Sequence, residues 1–252
     1  MDKISNIYIE VRHSNYMDVG IKVWSSNGFE QIQKVSEICD FVEIMSIKKK
    51  HIPKLKDLQT RWNVHAKHKG VGMNLADKTL EKKNLKLMEE AIYTANELNA
   101  KVIVTHAGNL VNKNCSQEQS LKILEKINDD RIVIENLCFE SSLNQTPTTI
   151  KQFTKISKKR ICFDFSHAQM VAARSNITWE KFLNDFIKLK PVYFHICDGN
   201  MGEAKDMHLN LGKGDFDLKN FKKLIGKKPV ALEVDVKSSM GEFQEQVKFL
   251  KA

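Results

Sequence analysis

Eight short apolar runs alternate with helix-like segments along this chain, and that alternation constrains the fold more than any other feature of the sequence. The predicted strands are Asn6–Val11, Phe41–Met45, Trp62–Ala66, Lys101–His106, Arg131–Glu135, Arg160–Asp164, Val192–His195 and Pro229–Glu233. Most are continuously apolar, as is typical of parallel strands buried on both faces. This order predicts a single-domain (β/α)₈ TIM barrel over residues 1–252. A doubly wound sheet is the alternative, but no glycine-rich turn follows the first strand.

Capping residues predict where several of the intervening helices begin. A Ser, Thr, Asp or Asn side chain can accept a hydrogen bond from a free amide of the first helical turn. Such residues are Asn27, Ser116, Thr146, Thr178, Asp217 and Ser239. A long helix is also predicted from the apolar spacing of Leu85, Met88, Ile92 and Ala95. The basic stretch Lys48–Lys56 lacks a clear pattern and is interpreted as a loop or a short helix.

Composition narrows the class of protein. The chain is 42% hydrophobic and 28% charged, and no apolar run approaches the roughly 20 residues that span a bilayer, so no membrane segment is expected. The N-terminus lacks the apolar stretch of a secretory signal, which predicts a cytoplasmic protein. The five cysteines of the chain show no CxxC spacing and are interpreted as reduced core residues. The net charge of +9 permits a polyanionic partner, such as nucleic acid or a phosphorylated sugar.

Six consecutive predicted strands each end in a residue that can bind a metal ion. They are His65, His106, Glu135, Asp164, His195 and Glu233. The C-terminal ends of all strands of a parallel barrel meet at one rim, so these side chains are expected to converge there. Buried carboxylates are costly unless they are paired, hydrogen-bonded or metal-bound. The sequence therefore predicts a metal site, although His65 or His106 alone could instead bind substrate.

Loops after the sixth and seventh strands add His167, Asp206 and His208 to the candidates. The nine donors are all nitrogen or oxygen atoms, which suit Zn²⁺, Mn²⁺ or Fe²⁺. Nine donors exceed the need of one ion, and two or three ions sharing a bridging carboxylate would account for them. Such a centre can activate water and bind a phosphate group.

The motifs around these residues resemble those of the xylose isomerase-like TIM-barrel superfamily, which includes the endonuclease IV group. The matching segments are VHAKHKGVGMNLA, VTHAG, IENL, FDFSHA, HICDG, DMHLNLGKG and ALEVD. The endonuclease IV resemblance implies three Zn²⁺ ions. His65 and His106 would hold the first, and Glu135 would bridge it to a second. Asp164, His195 and Glu233 would complete the coordination of the second ion, and His167, Asp206 and His208 would hold the third.

The resemblance implies two alternative activities. An endonuclease IV-like enzyme would hydrolyse a phosphodiester beside an abasic site in DNA, a DNA-repair reaction, or act on a related phosphorylated small molecule. A sugar or sugar-phosphate isomerase or epimerase would instead use one Mn²⁺ or Mg²⁺ held by Glu135, Asp164, His195 and Glu233. In it, Glu135 and Glu233 would be catalytic and exchange a proton beside a carbonyl. Such enzymes often carry an arginine where this chain has Asp206 and His208, which favours the hydrolase. A non-catalytic binding protein is disfavoured by the intact ligand set.

Overall fold

Eight parallel strands close into a barrel in the computed structural model of this protein, which describes residues 17–24, 27–203, 205–235 and 237–252. The strands are β1 (Val19–Val23), β2 (Phe41–Met45), β3 (Arg61–His65), β4 (Ile103–His106), β5 (Ile132–Glu135), β6 (Arg160–Asp164), β7 (Tyr193–Ile196) and β8 (Val230–Leu232). Each strand pairs with the next, and β8 pairs with β1. The predicted TIM barrel is therefore confirmed.

Helices surround the barrel and follow most of its strands. In the described residues they are α1 (Phe29–Ser36), α2 (Ile52–Lys56), α3 (Glu81–Glu97), α4 (Gln117–Ile127), α5 (Pro147–Ser157), α6 (Phe165–Arg174), α7 (Trp179–Ile187), α8 (Leu218–Ile225) and α9 (Met240–Lys251). The side chains of Ser116, Thr146, Asp217 and Ser239 accept the predicted capping bonds. Thr178 occupies the N-cap of α7 without one. No helix of the described ranges has the length and hydrophobicity to cross a bilayer.

The first barrel strand of the described residues is Val19–Val23, a segment for which the sequence predicted no strand. The predicted strand Asn6–Val11 lies outside the described residues. This strand is difficult to recognise because Gly20 and Lys22 interrupt its apolar pattern. Gly20 is needed there: a Cβ atom at this position would lie 2.1 Å from the ring of Phe41. The glycine therefore allows β1 to pack beside the large side chain of β2.

Two apolar cores hold the barrel together. The larger one lies between the strands and the helices, and it includes Ile21, Val42, Ile44 and Phe163. The smaller one fills the inside of the barrel, and we call it the plug. It consists of Phe41, Val104, Val133, Cys162, Tyr193 and Ala231. Because the plug closes the barrel from within, the side chains above it at the C-terminal mouth form the floor of a site.

Candidate metal centre

Every strand places one polar side chain directly above the plug. Residues two positions apart on a strand point to the same face, so the residue two positions after each plug residue also points into the barrel. This rule gives six residues, namely Glu43, His106, Glu135, Asp164, His195 and Glu233. Lys22 of β1 and His65 of β3 complete the layer, since they contact Glu233 and Glu135. Only His106 is more than one-tenth exposed. Six members of the layer were predicted, whereas Lys22 and Glu43 were not.

His65 and His106 converge on one oxygen of Glu135. Their Nε2 atoms lie 3.2 and 2.9 Å from Glu135 Oε2. Burial lowers the pKa of His106 to about 4, so its imidazole is neutral near pH 7. Burial alone would raise the pKa of Glu135, but His195 and His106 outweigh it and lower that pKa. A neutral imidazole and an ionised carboxylate are the protonation states that metal binding requires.

Asp164, His195 and Glu233 surround the other oxygen of Glu135. His195 Nδ1 lies 3.1 Å from Glu135 Oε1, 3.0 Å from Glu233 Oε2 and 3.9 Å from Asp164 Oδ2. Burial raises the pKa of Asp164 to about 6, and the neighbouring Glu135 and Glu233 add to the effect. Glu233 Oε2 is buried and lies against the same nitrogen, His195 Nδ1, that Glu135 Oε1 contacts. One imidazole nitrogen cannot satisfy three carboxylates, and this surplus of buried carboxylate oxygens is an environment that fits a divalent cation.

A third cluster forms around Asp206. Its Oδ2 atom lies 2.8 Å from His208 Nε2 and 3.4 Å from His167 Nε2, while Ser166 donates a hydrogen bond to Oδ1 at 2.8 Å. His167 does not lie on a loop as predicted. It lies in the first turn of α6, whose N-cap Asp164 accepts a hydrogen bond from the His167 amide. The cap thereby fixes the position of His167 relative to the second cluster.

Three histidines present the same nitrogen to these clusters. In each, Nδ1 contacts a backbone carbonyl oxygen, which can only accept, so Nδ1 carries the proton and donates. The pairs are His65 with Ala66, His167 with Asn136 and His208 with Glu233, at 2.6, 2.9 and 2.7 Å. Each Nε2 atom therefore faces a carboxylate oxygen of the clusters. Metal-binding histidines are typically fixed by such a bond from the second ring nitrogen.

Glu43 orients the ring of His195, as the backbone carbonyl oxygens orient the other three histidines. Its Oε2 atom lies 3.1 Å from His195 Nε2 and also accepts a 2.6 Å hydrogen bond from the Tyr193 hydroxyl. This contact fixes the ring so that Nδ1 faces the second cluster. Glu43 was missed because it is the one charged residue in an apolar strand, FVEIM, and does not end that strand. Its position in the two-residue alternation of the strand was the available signal.

Lys22 supplies a fixed positive charge to the layer. Its Nζ atom lies 2.6 Å from Glu233 Oε1, and both side chains are buried. Burial would lower the pKa of Lys22, but attraction from Glu233, Glu135 and Glu43 outweighs it and raises that pKa. Burial would lower the pKa of His195, but Cys162, Glu43 and Glu135 outweigh it and raise that pKa, so His195 is a second cation of the layer. These two cations face four buried carboxylates, namely Glu43, Glu135, Asp164 and Glu233. The layer therefore retains a deficit of positive charge that divalent ions would offset.

The structure brings the predicted residues into three groups whose possible ligand atoms lie within 4.8 Å of one another. The groups are His65, His106 and Glu135; Glu135, Asp164, His195 and Glu233; and Cys197, Asp206 and His208. Glu135 belongs to two of them, as a bridging ligand would. His167 joins the third group through Asp206. Cys197 was not predicted, and burial raises the pKa of its thiol to about 11, so it is a neutral neighbour near pH 7.

Two solved structures share this fold over nearly the whole chain. A D-tagatose 3-epimerase-like protein superposes with a TM-score of 0.75 at 22% identity, covering 93% of this chain and 96% of its own. Endonuclease IV from Thermus thermophilus superposes with a TM-score of 0.70 at 13% identity, covering 92% and 97%. At these identities the likeness concerns the fold, and it includes enzymes of both classes considered above.

Sequence comparison places the chain within one family. It is 26% identical over 218 residues to apurinic-apyrimidinic endonuclease 1 of Plasmodium berghei, an alignment that covers 75% of this chain but only 42% of that relative. Residues 27–252, which include every residue of the three clusters, match the sequence profile described as xylose isomerase-like TIM barrel. The chain therefore belongs to the xylose isomerase-like TIM barrel family.

Proposed function

We propose that this protein is a metal-dependent phosphoester hydrolase of the endonuclease IV type. The observation that carries the proposal is the third cluster, in which His167 and His208 both direct Nε2 at Asp206 Oδ2. Proton exchange beside a carbonyl needs only the cluster of Glu135, Asp164, His195 and Glu233. A further set of oriented donors at the same mouth is accounted for by an enzyme that binds several ions, and clusters of ions are suited to phosphoryl oxygens.

The three clusters match a zinc enzyme in their donor atoms. His65, His106 and Glu135 would hold one ion, and Glu135 would also serve a second ion bound by Asp164, His195 and Glu233. His167, Asp206 and His208 would hold the third. When bound, Zn²⁺ would supply Lewis-acid polarisation of the phosphoryl group and a lowered pKa of water. The matching donor set, together with the three carboxylates that share His195 Nδ1, supports two or three ions.

The protein itself would position the reacting groups. Glu43 orients His195, and Lys22 holds one oxygen of Glu233 while the other stays directed at the cluster. His68, at the rim, accepts a hydrogen bond from the Gly70 amide at Nδ1, so its Nε2 carries a proton. Burial lowers the pKa of His68 to about 3, and the ring is neutral. It could therefore donate a hydrogen bond to a substrate oxygen without charge.

The proposed substrate is DNA containing an abasic site or a related phosphorylated small molecule. The net charge of +9 is compatible with either polyanion. The second candidate remains a sugar or sugar-phosphate isomerase or epimerase using Mn²⁺ or Mg²⁺. It is favoured by one observation, the compact cluster that contains two glutamates, Glu135 and Glu233, suited to exchanging a proton across a substrate.

Metal stoichiometry separates the two functions. Elemental analysis of protein purified without chelator should find two or three Zn²⁺ per chain, falling by about one in Asp206→Ala/His208→Ala if that pair binds one ion. The control is Asp130→Ala, an exposed aspartate before β5 at the opposite end of the barrel, which should retain the full content. A single Mn²⁺ or Mg²⁺ that is unaffected by the double variant would contradict the hydrolase and favour the isomerase.

An activity assay then tests the reaction. The zinc-loaded protein should cleave a duplex oligonucleotide containing one abasic site, and Glu135→Gln should reduce the rate by at least about a hundredfold because it removes the shared ligand. The Asp130→Ala control should cleave at the wild-type rate. Absence of cleavage, combined with turnover of a ketose or ketose phosphate, would overturn the proposal.

A further inference from the structure

A second cavity opens at the side of the barrel, between α1 and α2 and over the C-terminal end of β2. Its volume is about 540 Å³, which is within the range of small-molecule sites. Phe29 and Ile32 of α1, Ile44 of β2 and Leu55 of α2 provide an apolar wall. The ring of Phe29 is 39% exposed. A flat or apolar group could therefore be covered by this wall.

The cavity is separate from the metal centre. Glu43 points into the barrel, where it contacts His195 and Tyr193. Because side chains alternate along a strand, Ile44 and Ser46 point to the opposite side, toward the helices. Ile44 belongs to the outer core, as this direction requires. A ligand in the cavity would thus lie across β2 from the metal-binding residues.

Ser46 gives the cavity an unused hydrogen-bonding group. The residue is fully buried and lines the cavity. Its Oγ atom has no hydrogen-bond partner among the described residues, although its backbone amide donates to the His65 carbonyl oxygen at 2.8 Å. Buried hydroxyl groups are nearly always hydrogen-bonded in folded proteins. A ligand atom inside the cavity would satisfy this one.

The rim of the cavity is strongly basic. Lys48, Lys50 and Lys54 line it, together with His51. None of the three lysines forms an ion pair within the described ranges, and no lining residue is acidic. Lys67 also lines the cavity but is already paired with Glu90 at 2.9 Å. Three unpaired lysines above an apolar wall are complementary to a dianionic group attached to an apolar body.

We propose that this cavity binds a nucleoside monophosphate. The phosphoryl group would contact Lys48, Lys50 and Lys54, the base would pack against Phe29, and the Ser46 hydroxyl would bond a sugar or base oxygen. A dianionic phosphoryl group interacts with the three lysines more strongly than a single carboxylate would. The site does not depend on the proposed hydrolase activity, because its residues lie across β2 from the metal clusters.

Calorimetric titration of the full chain, as purified, tests this site with three probes. Adenosine monophosphate should bind more tightly than adenosine or inorganic phosphate alone, since only the nucleotide contacts both the apolar wall and the basic rim of the cavity. Lys50→Ala/Lys54→Ala should weaken its binding at least roughly tenfold, the loss expected for one charge-assisted contact. Ser46→Ala should also weaken binding. The control Lys151→Ala/Lys155→Ala, with exposed lysines on α5, should leave the affinity within about twofold.

Two outcomes would overturn the proposal. If Glu135→Gln abolished nucleotide binding while Lys50→Ala/Lys54→Ala did not, the ligand would occupy the metal centre. If the two lysine variants weakened binding equally, the interaction would be nonspecific attraction to a basic surface. Neither outcome bears on the metal content or on cleavage of abasic DNA, so failure of this site and failure of the proposed function are distinguishable. Circular dichroism of each variant would establish that it is folded.

Discussion

The buried pair of Lys22 and Glu233 shows how a single residue can fix the geometry of the candidate metal centre. The two side chains are 2.6 Å apart and almost completely buried. A buried ion pair contributes little net stability compared with apolar residues, but removal of one partner leaves an isolated charge. The main effect of removing Lys22 is therefore expected to be the loss of the cation that pairs with the buried Glu233 Oε1 atom.

Replacement of Lys22 tests this dependence. Lys22→Met should lower the free energy of unfolding by about 3–5 kcal/mol, because Glu233 is left buried without its cation. The comparison is Lys34→Met, which breaks a pair with Glu30 at the same 2.6 Å distance but at the surface. That variant should change stability little, since water replaces the partner. Chemical denaturation measures both, and equal effects would show that burial of the Lys22 pair is energetically unimportant.

The nine predicted ligands illustrate what a sequence reveals at the residue scale. His106, Glu135, Asp164 and His195 lie at or next to the ends of apolar strands, so the strand pattern by itself places their side chains at the barrel mouth. Glu43 precedes the end of its strand by two residues, and its function depends on a contact with His195, 152 residues away along the chain. The alternation of the strand indicates that Glu43 points into the barrel, but no local pattern reveals such a long-range partner. Lys22 was missed because its strand, VGIKV, was not predicted.

At the scale of the element, four of the six predicted helix caps are confirmed, because caps depend on neighbouring residues. The other two make no capping bond: Gly28, not Asn27, is the N-cap of α1, and Thr178 caps α7 by position only. Ser239 and Glu242 form the expected capping box of α9, with the Ser239 amide donating to Glu242 at 2.8 Å. Helix α6 was not predicted. Its N-cap, Asp164, was interpreted only as a strand-end ligand, and the helix begins in the next residue. Asp164 thus both ends a strand and caps a helix. The helix is missed when Asp164 is interpreted as a strand end alone.

The caps of α9 and α7 provide a matched test. Ser239→Ala should lower the free energy of unfolding by about 1 kcal/mol, because the amide of Glu242 loses its acceptor. Thr178→Ala should have a much smaller effect, since Thr178 occupies the N-cap position without making a side-chain capping bond. Urea denaturation of the two variants distinguishes them. Equal losses would mean that position at the N-cap, rather than the hydrogen bond, determines stability.

Glu81 links two helices in a pH-dependent way. The carboxylate on α3 contacts Lys126 and Lys122 of α4 at 2.6 and 3.0 Å. Hydrogen bonds from these lysines lower the pKa of Glu81 from 4.5 to about 2. A lowered pKa in the folded state stabilises the protein above the unfolded value, and this contribution is lost as the pH falls through the folded value.

The Glu81→Gln variant should therefore be less stable than the wild type at pH 7. The difference in urea midpoint should shrink steadily below pH 4.5 and vanish only below pH 2, where Glu81 is protonated in both states. High salt should reduce it at pH 7, because the contacts are exposed. A difference that stayed constant from pH 7 to pH 3 would assign the effect to packing rather than to charge.

On the scale of the whole molecule, closure of the barrel brings residues that are far apart in the sequence into one candidate metal centre. The plug residues Val133, Cys162 and Tyr193 belong to three different strands, and each is followed two positions later by an ionisable residue above it. Closure of the barrel places the whole layer over one floor. The sequence could place the predicted residues at one rim because the fold imposes this convergence, whereas their role as metal ligands stays a prediction. Side-chain contacts within the layer, including the link of His167 to Asp206, required the structure.

The same arrangement predicts that divalent ions stabilise the whole barrel. Four buried carboxylates against the two cations Lys22 and His195 leave the metal-free layer with an excess of negative charge, and unfolding exposes these groups to water. An ion that binds only the folded state stabilises it by about 2.7 kcal/mol at a free concentration of 100 times Kd. Chelator treatment should lower the melting temperature, and Zn²⁺ should restore it. The restoration should be weaker in Glu135→Gln, whereas Asp130→Ala should respond like the wild type. Zn²⁺ that bound stoichiometrically without raising the melting temperature would show that its ligands are not the buried residues of the barrel mouth.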